Sequence, residues 1–217
     1  MNDVESVAVK TVGGLRVLYV MATLAEYLAE LRTRFSPLIC QVGPVEAAMH
    51  VSSYLAANKD IDLVVSLGSA GSARLEQAHV YQVSSVAYRD MDASPFGFPK
   101  GVTPFSDLPA VIHLGNDIAD IESASISTGA NVVSGDAYAT IEQDMVDMET
   151  WAVMRACQAF KVPLIGLRGI SDGAHPVAEY SDWSRYLEVI DQRLATAVDQ
   201  LEATLRSGDL RPAMPHF

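Results

Sequence analysis

The chain has 217 residues, 49% of them apolar, and a formal net charge of −12 at pH 7. This length and apolar content are enough for one well-packed core. The excess of acidic over basic residues argues against nucleic acid and against an anionic membrane surface as partners. No apolar run reaches the roughly 18 residues needed to span a bilayer, and the first ten residues lack the basic start and apolar centre of a signal peptide.

The cysteines and histidines indicate the compartment and argue against metal chemistry. Cys40 and Cys157 are the only cysteines, and both lie in apolar surroundings, which is typical of reduced packing residues. The five histidines are widely separated, and none stands at a metal-ligand spacing. We therefore predict a cytoplasmic protein with no metal and no other cofactor.

Apolar strands alternate with helical patterns along the chain. Strands are predicted at 15–22, 37–43, 61–67, 80–88, 111–114, 124–127 and 162–172, and helices at 24–34, 45–58, 150–160 and 183–206. This alternation is typical of an α/β fold. We predict a single three-layer domain, 15–206, with a mostly parallel or mixed central sheet flanked by helices. Residues 1–14 are predicted as an N-terminal tail, either frayed or an edge hairpin arm, and 207–217 as a C-terminal tail.

Glu26 lies just beyond the first predicted strand. Thr23 and Glu26 have the spacing of a capping box, in which Glu26 only holds the start of a helix. This local role is the favoured interpretation, although a position past the carboxyl end of a strand leaves a second role open. The segment 68–71 is predicted as a small, flexible loop whose backbone and Ser69 hydroxyl can approach a ligand closely.

The sequence from 146 to 172 places charged side chains where a core should be apolar. Glu149 heads the apolar face of helix 150–160, and a buried carboxylate is costly without a partner. Arg168 lies inside a predicted buried strand, which should be a continuous apolar run, and Asp172 stands at its carboxyl end. Ligands of open α/β sheets bind beyond such strand ends. These three residues therefore indicate a site.

Six short blocks carry a resemblance to a known family. They are 21–26, 67–71, 88–98, 133–138, 146–149 and 167–172, and the Met-Glu pair and Arg-Gly-Ile-Ser-Asp are their most specific parts. In this order they resemble the nucleoside phosphorylase superfamily. Within it, the closest resemblance is to the 5'-methylthioadenosine/S-adenosylhomocysteine nucleosidases, and it covers roughly residues 15–205.

The resemblance implies a hydrolase that cleaves the N-glycosidic bond of a 5'-modified purine nucleoside. Asp172 would bind or protonate N7 of the purine, because an adenine anion is a poor leaving group. Glu26 would act as the general base toward a water held with Ser69 and Arg168. The implied substrate contacts are Met148 and Glu149 at the ribose, Tyr138 and Ala139 at the base, Val42, and Phe96 and Pro104 in the 5' pocket of the neighbouring subunit. A homodimer is therefore implied.

A phosphorylase on the same fold is the first alternative. It would bind a phosphate dianion with arginines near the first loop and before the Gly-Ser turn. Residues 22–31 contain no Arg or Lys, and Ser66 stands where the phosphorylases that resemble this chain carry an arginine. Water is therefore the favoured nucleophile.

Two non-enzymatic alternatives also stay open. A purine-nucleoside binding protein would not need the combination of Glu26, Glu149, Arg168 and Asp172. A purely structural role would make Arg168 a core partner of Glu149 or Glu26, although buried ion pairs are poor stabilising devices. Departures from the family pattern, at Thr23, at Ala139 and in a segment 106–129 that lacks a helix, leave the 5' substituent and the base undecided.

Overall fold

The computed structural model describes residues 7–173 and 179–215. The strands are β1 (Lys10–Val12), β2 (Leu15–Met21), β3 (Leu38–Ile39), β4 (Leu63–Gly71), β5 (Val80–Tyr88), β6 (Val111–His113), β7 (Ser123–Thr128), β8 (Met145–Asp147) and β9 (Leu164–Asp172). The helices are α1 (Ala29–Arg32), α2 (Pro44–Ala57), α3 (Thr150–Phe160), α4 (Tyr180–Ser184) and α5 (Leu187–Ser207), with 3₁₀ turns at Leu24–Glu26, Ser94–Phe96 and Gly135–Thr140. Within the described ranges, none of these helices combines the length and apolar character needed to cross a membrane.

The strands join in one mixed sheet that closes on itself. β4 runs parallel to β9, and β9 runs antiparallel to β5. β5 is parallel to β7, β7 is parallel to β8, and the antiparallel pair Gly71 and Val146 links β8 back to β4. Because Asp172 also pairs with Gly71, this ring brings Gly71, Val146 and Asp172 together. β2 extends the sheet beside β4 and carries β1 and β3 at its other edge.

Helices cover both faces of the sheet, and each face has its own apolar core. On one face α2 and α3 bury side chains such as Val51, Leu55 and Val153 against the strands. On the other face α5 presents a stripe at helical spacing, including Leu194 and Val198, and α1 packs beside it. The prediction of a single three-layer α/β domain with a mixed sheet is confirmed.

The predicted helix 24–34 is wrong as one element. It is a 3₁₀ turn, Leu24–Glu26, followed by the four-residue α1. The cause lies far along the chain, because the buried Asp191 of α5 accepts hydrogen bonds from the backbone N–H groups of Leu28, Glu30 and Leu31. A carboxylate that accepts hydrogen bonds from these N–H groups caps a new helix start at that point. The single helix predicted at 183–206 is likewise two helices, α4 and α5.

Four other segments differ from the prediction or decide between its alternatives. The predicted loop 68–71 is the end of β4, where it pairs with β9. The pattern predicts no strand at Met145–Asp147, which forms β8. In the N-terminal segment, Lys10–Val12 forms the hairpin arm against β2, while residues 1–6 lie outside the described ones. In the C-terminal segment, the backbone N–H of Ala213 donates to Asn116.

Candidate active site

A cavity of about 630 Å³ opens where β4, β8 and β9 come together. This volume lies within the range of about 300 to 1,000 Å³ that is usual for small-molecule sites. The walls include six of the residues that the sequence predicts for the site, namely Glu26, Val42, Ser69, Met148, Glu149 and Asp172. The strand ends thus collect carboxyl groups that are more than 140 positions apart in the sequence, from 26 to 172.

Glu26 is buried and bound to the end of β4. Its Oε1 accepts hydrogen bonds from the backbone N–H of Ser69 at 2.8 Å and from the Ser69 hydroxyl at 2.5 Å. Burial raises the pKa of Glu26, and the Ser69 hydrogen bonds and the charge of Arg168 oppose that rise. The capping-box interpretation is wrong for Glu26. Thr23 does accept the N–H of Ala25, but the Glu26 carboxylate binds Ser69 instead.

Glu149 immediately precedes α3 and faces the cavity. Its Oε1 accepts the backbone N–H of Gly43 at 2.9 Å. Burial, followed by the negative charge of Asp147, raises the pKa of Glu149 to about 8. Glu149 therefore tends to hold a proton near neutral pH, and hydroxyl donors from a ligand would shift it back toward the carboxylate.

Arg168 and Asp147 form a buried ion pair behind the cavity. Arg168 is 2% exposed, and its Nε and Nη2 donate to Oδ2 of Asp147 at 3.3 and 3.2 Å. Thr128 and Thr150 also donate hydrogen bonds to Asp147. The structural alternative named the wrong partners, since Arg168 pairs with Asp147 and with neither Glu149 nor Glu26.

The remaining N–H groups of Arg168 are also engaged by the protein. Nη1 donates to the carbonyl oxygens of Ser66 and Leu167, each at 3.0 Å, and Nη2 donates to the hydroxyls of Ser66 and Thr150 at 3.0 and 2.7 Å. A guanidinium has five N–H donors, and the acceptors of this network occupy those of Arg168. Arg168 therefore acts on Glu26 through its charge.

Asp172 ends β9 beside Gly71. Its Oδ1 accepts the hydroxyl of Ser171 at 2.5 Å, and the hydroxyl of Tyr138 lies against its carboxyl group. Burial raises the pKa of Asp172, while the hydroxyls of Ser171 and Tyr138 oppose that rise. The space is tight, because a Cβ atom at Gly71 would lie 2.2 Å from the Tyr138 hydroxyl and 2.8 Å from Oδ2 of Asp172. Only glycine fits there.

A second cavity of about 10 Å³ adjoins the first. It shares Glu26, Ser69 and Glu149 with the larger cavity, and Ser66 and Arg168 complete its polar lining. One water molecule needs about 10–15 Å³ of such volume and several polar partners. The small cavity therefore has the size and the lining for a single water molecule.

Besides Arg168, which lines the smaller cavity, four predicted site residues do not line the large cavity of this chain. Phe96 is 84% exposed, Ala139 is exposed and Pro104 is half-buried. Tyr138 contacts Asp172 with its hydroxyl, whereas the prediction places Tyr138 at the purine base. The substrate roles of these four residues stay predictions.

The residues of the cavity wall that sequence reasoning misses include Arg89, Tyr180, Trp183 and the buried Asp147. The indole Nε1 of Trp183 donates to Oγ of Ser69 at 2.9 Å, and the Tyr180 ring contacts Trp183 edge-on at 5.1 Å. Arg89 also lines the cavity and donates to the carbonyl oxygens of Ser127, Asp147 and Asn131. For Asp147 the signal was present, because a carboxylate stands inside an apolar stretch directly before Met148. Trp183 has no comparable signal, since an indole at the start of a helix indicates packing.

Comparison with known proteins agrees with this geometry. The family model described as the phosphorylase superfamily matches residues 5–206. A 5'-methylthioadenosine/S-adenosylhomocysteine nucleosidase of Haemophilus influenzae (strain PittEE) is 30% identical over 159 residues, which are 64% of this chain and 69% of the relative.

Two solved structures show the same fold. The nucleosidase of that name from Colwellia psychrerythraea 34H, in complex with adenine, has a TM-score of 0.74 and 22% identity, covering 91% of this chain and 97% of that chain. The futalosine hydrolase of Helicobacter pylori strain 26695 has a TM-score of 0.73 and 21% identity, covering 85% of this chain and 96% of that chain. The chain belongs to the phosphorylase superfamily and, within it, to the family of the 5'-methylthioadenosine/S-adenosylhomocysteine nucleosidases.

Proposed function

We propose that this N-ribosyl hydrolase cleaves 5'-methylthioadenosine, S-adenosylhomocysteine or both, and releases adenine and the 5-thioribose product. The observation that carries the proposal is the convergence of three carboxyl groups, those of Glu26, Glu149 and Asp172, on one cavity. Cleavage of an N-glycosidic bond needs an acid at the base, negative charge near the sugar and a base for the attacking water. Each carboxyl group fits one of these needs.

Asp172 serves as the acid at the purine. Its proton passes to N7 as the bond between C1' and N9 breaks, so that the bonding electron pair leaves with a neutral base. A pKa raised by burial helps Asp172 to keep this proton near neutral pH. Glu149 accepts the 2'- and 3'-hydroxyls of the ribose, with Met148 packed against the sugar, and its charge then stabilises the positive charge that develops at C1'.

Glu26 serves as the base for water. As the water oxygen bonds to C1', one of its protons passes to the Glu26 carboxylate. Ser69 holds that carboxylate in place, and the Arg168 charge favours its ionised form. The adjoining cavity of about 10 Å³ supports this assignment, because it matches one water molecule and is too small for a phosphate ion.

The charge of the cavity also favours water over phosphate. Among the described residues that line the large cavity, Arg89 supplies the cationic side chain, and its Nη1 and Nη2 donate to carbonyl oxygens. Glu26, Glu149 and Asp172 line the same cavity. A phosphate dianion next to several carboxyl groups, with Nη1 and Nη2 of Arg89 engaged and its Nε buried, would be repelled.

We also propose that the active unit is a cytoplasmic homodimer. Phe96 is 84% exposed on a long loop and does not line the cavity of its own chain, which supports a role for Phe96 and Pro104 in the cavity of a second copy. Val45 and Met49 lie one turn apart on α2 and are 75% and 53% exposed, an apolar surface suited to a second subunit. Both cysteines are free and buried, which fits a reducing compartment.

The test is release of purine base from methylthioadenosine, adenosylhomocysteine, adenosine, inosine and futalosine, each with and without phosphate. We expect release that does not depend on phosphate and that is fastest with the 5'-thio nucleosides. Release only with phosphate would make the enzyme a phosphorylase. Binding without any release would favour the non-catalytic alternative. In the same assay Glu26→Gln should lose most turnover, and near-normal kcat would contradict its role as the base.

A further inference from the structure

Trp183 reaches from α4 to the end of β4 and contacts the residue that holds Glu26. Its Nε1 donates to Oγ of Ser69 at 2.9 Å, and that same hydroxyl lies 2.5 Å from Oε1 of Glu26. Trp183 and Tyr180 both line the large cavity, with their rings edge-on. The proposed reaction above assigns no part to Trp183.

The chemistry of these three groups fixes the direction of each hydrogen bond. An indole N–H is a donor only, and a serine hydroxyl has one proton to donate and two lone pairs to accept with. Because the Ser69 oxygen accepts from Trp183, its single proton is left for Oε1 of Glu26. Without the indole N–H, the same hydroxyl could turn that proton toward water or a carbonyl oxygen.

This arrangement gives the two oxygens of the Glu26 carboxylate different surroundings. Oε1 receives both hydrogen bonds from Ser69. Oε2 receives no hydrogen bond from the described residues and lies near Gly68, where a Cβ atom would come within 3.2 Å of it. Oε2 is therefore the oxygen that is left to take a proton.

We propose that Trp183 is a positioning residue for hydrolysis, which fixes the Ser69 hydroxyl as a donor to Glu26 and so keeps Oε2 ready for the proton of the attacking water. This inference rests on the proposed function. It assigns to α4 a role in the chemistry in addition to covering the cavity. The other charges near Glu26 are Arg168 on β9, Asp147 on β8 and Glu149 before α3, and none of them belongs to α4.

The first test compares the pH profile of kcat, at saturating substrate, in the wild type and in Trp183→Phe. The acid limb of this profile reports the pKa of the base in the enzyme–substrate complex, where the ribose hydroxyls hold Glu149 as a carboxylate. Loss of one hydrogen bond that favours the carboxylate should move the limb up by about half a unit to one unit and lower kcat/KM about three- to tenfold. KM should change little. Trp151→Phe is the matched control, because Trp151 lies outside the cavity on α3, and it should leave the limb in place.

A second variant separates the N–H group from ring packing. In a Trp151→Phe background, benzothienylalanine at position 183 keeps the size of the indole and replaces its N–H by sulfur. The same shift of the acid limb in this protein supports the proposal. An unmoved limb together with a raised KM would mean that Trp183 only packs against the substrate, and the proposal would be wrong.

A third measurement does not need turnover. The indole N–H signal of Trp183 in a ¹H–¹⁵N spectrum should shift with the ionisation of Glu26, and the shift should disappear in Glu26→Gln and in Ser69→Ala. The Trp151 signal should show no such titration. A Trp183 signal that ignores both substitutions would overturn the proposal even in an active enzyme. Failure of the proposed hydrolysis would appear separately, as a wild type that releases no base.

Discussion

The carboxyl groups of Glu26, Glu149 and Asp172 in the cavity are held by different donors, and this separates their roles. Burial raises the pKa of all three. Glu26 is held back toward its ionised form by the two hydrogen bonds from Ser69 and by the Arg168 charge, as a base requires. The pKa of Asp172 is lowered by neighbouring hydroxyls only and by no cation, so that burial keeps it raised, as a proton donor requires. Groups whose environments differ in this way divide acid and base work between them.

Asp172→Asn tests the assignment of the acid. We expect kcat to fall by about 10²- to 10⁴-fold, because the purine must then leave without a proton from the enzyme. A nucleoside methylated at N7 already carries positive charge on its base and needs no such proton. The Asp172→Asn variant should therefore cleave it at nearly the wild-type rate, and base release from both substrates measures the difference. Near-normal kcat on the unmethylated nucleoside would show that Asp172 is not the acid.

Glu149 should make the stability of the free protein depend on pH. Its pKa is about 8 in the folded state against 4.5 for the unperturbed group, so the folded state holds one extra proton between these values. The associated stability is fully present below pH 4.5 and is lost as the pH rises through 8. Urea unfolding from about pH 5 to about pH 9 should show the wild type losing stability relative to Glu149→Gln. If the free energies of unfolding of the two proteins change with pH in parallel, the raised pKa of Glu149 would be contradicted.

At the scale of elements, the pair Asp147 and Arg168 ties β8 to β9 behind the site. The side chains are 1% and 3% exposed, so removal of one partner leaves a buried charge. Arg168→Met should lower the free energy of unfolding by about 3–5 kcal/mol. The matched control is Arg16→Met in β2, whose ion pair with Asp60 is exposed and should be worth about 0–1 kcal/mol. Urea unfolding measures both variants. If the two substitutions lower the free energy of unfolding equally, the buried pair stabilises the protein no more than the exposed pair, and the prediction would be wrong.

The elements also show which parts of the fold a sequence can predict. The bounds of β5 and α3 follow from local apolar patterns, and the structure matches the predicted 80–88 and 150–160. The helix 24–34 fails because Asp191, 160 or more positions away, sets the start of α1. The contact of Trp183 with Ser69 spans 114 positions. Glu149, Arg168 and Asp172 could be singled out because a charge in an apolar run is visible locally, whereas long-range partners leave no such mark.

At the scale of the whole molecule, an apolar surface of α2 lies next to the cavity. Val42, 53% exposed, lines the cavity just before α2 begins, and Val45 and Met49 continue outward from it. Val45→Glu with Met49→Glu should therefore split the proposed dimer and lower kcat/KM together, measured by sedimentation and base release on the same samples. Val189→Glu on α5, at a position 40% exposed, is the matched control and should alter neither.

A mixing experiment tests whether each cavity is completed by the other copy. Glu26→Gln should abolish most turnover in its own cavity, and Phe96→Ala should weaken the cavity of its partner. When the two proteins are unfolded and refolded together, a mixed dimer contains one cavity that has both Glu26 and Phe96. Activity should then rise well above the mean of the two separate variants, because an exposed aromatic side chain contributes most where it becomes buried against substrate. Activity that only averages the two would mean that Phe96 serves its own chain, and the shared cavity would be refuted.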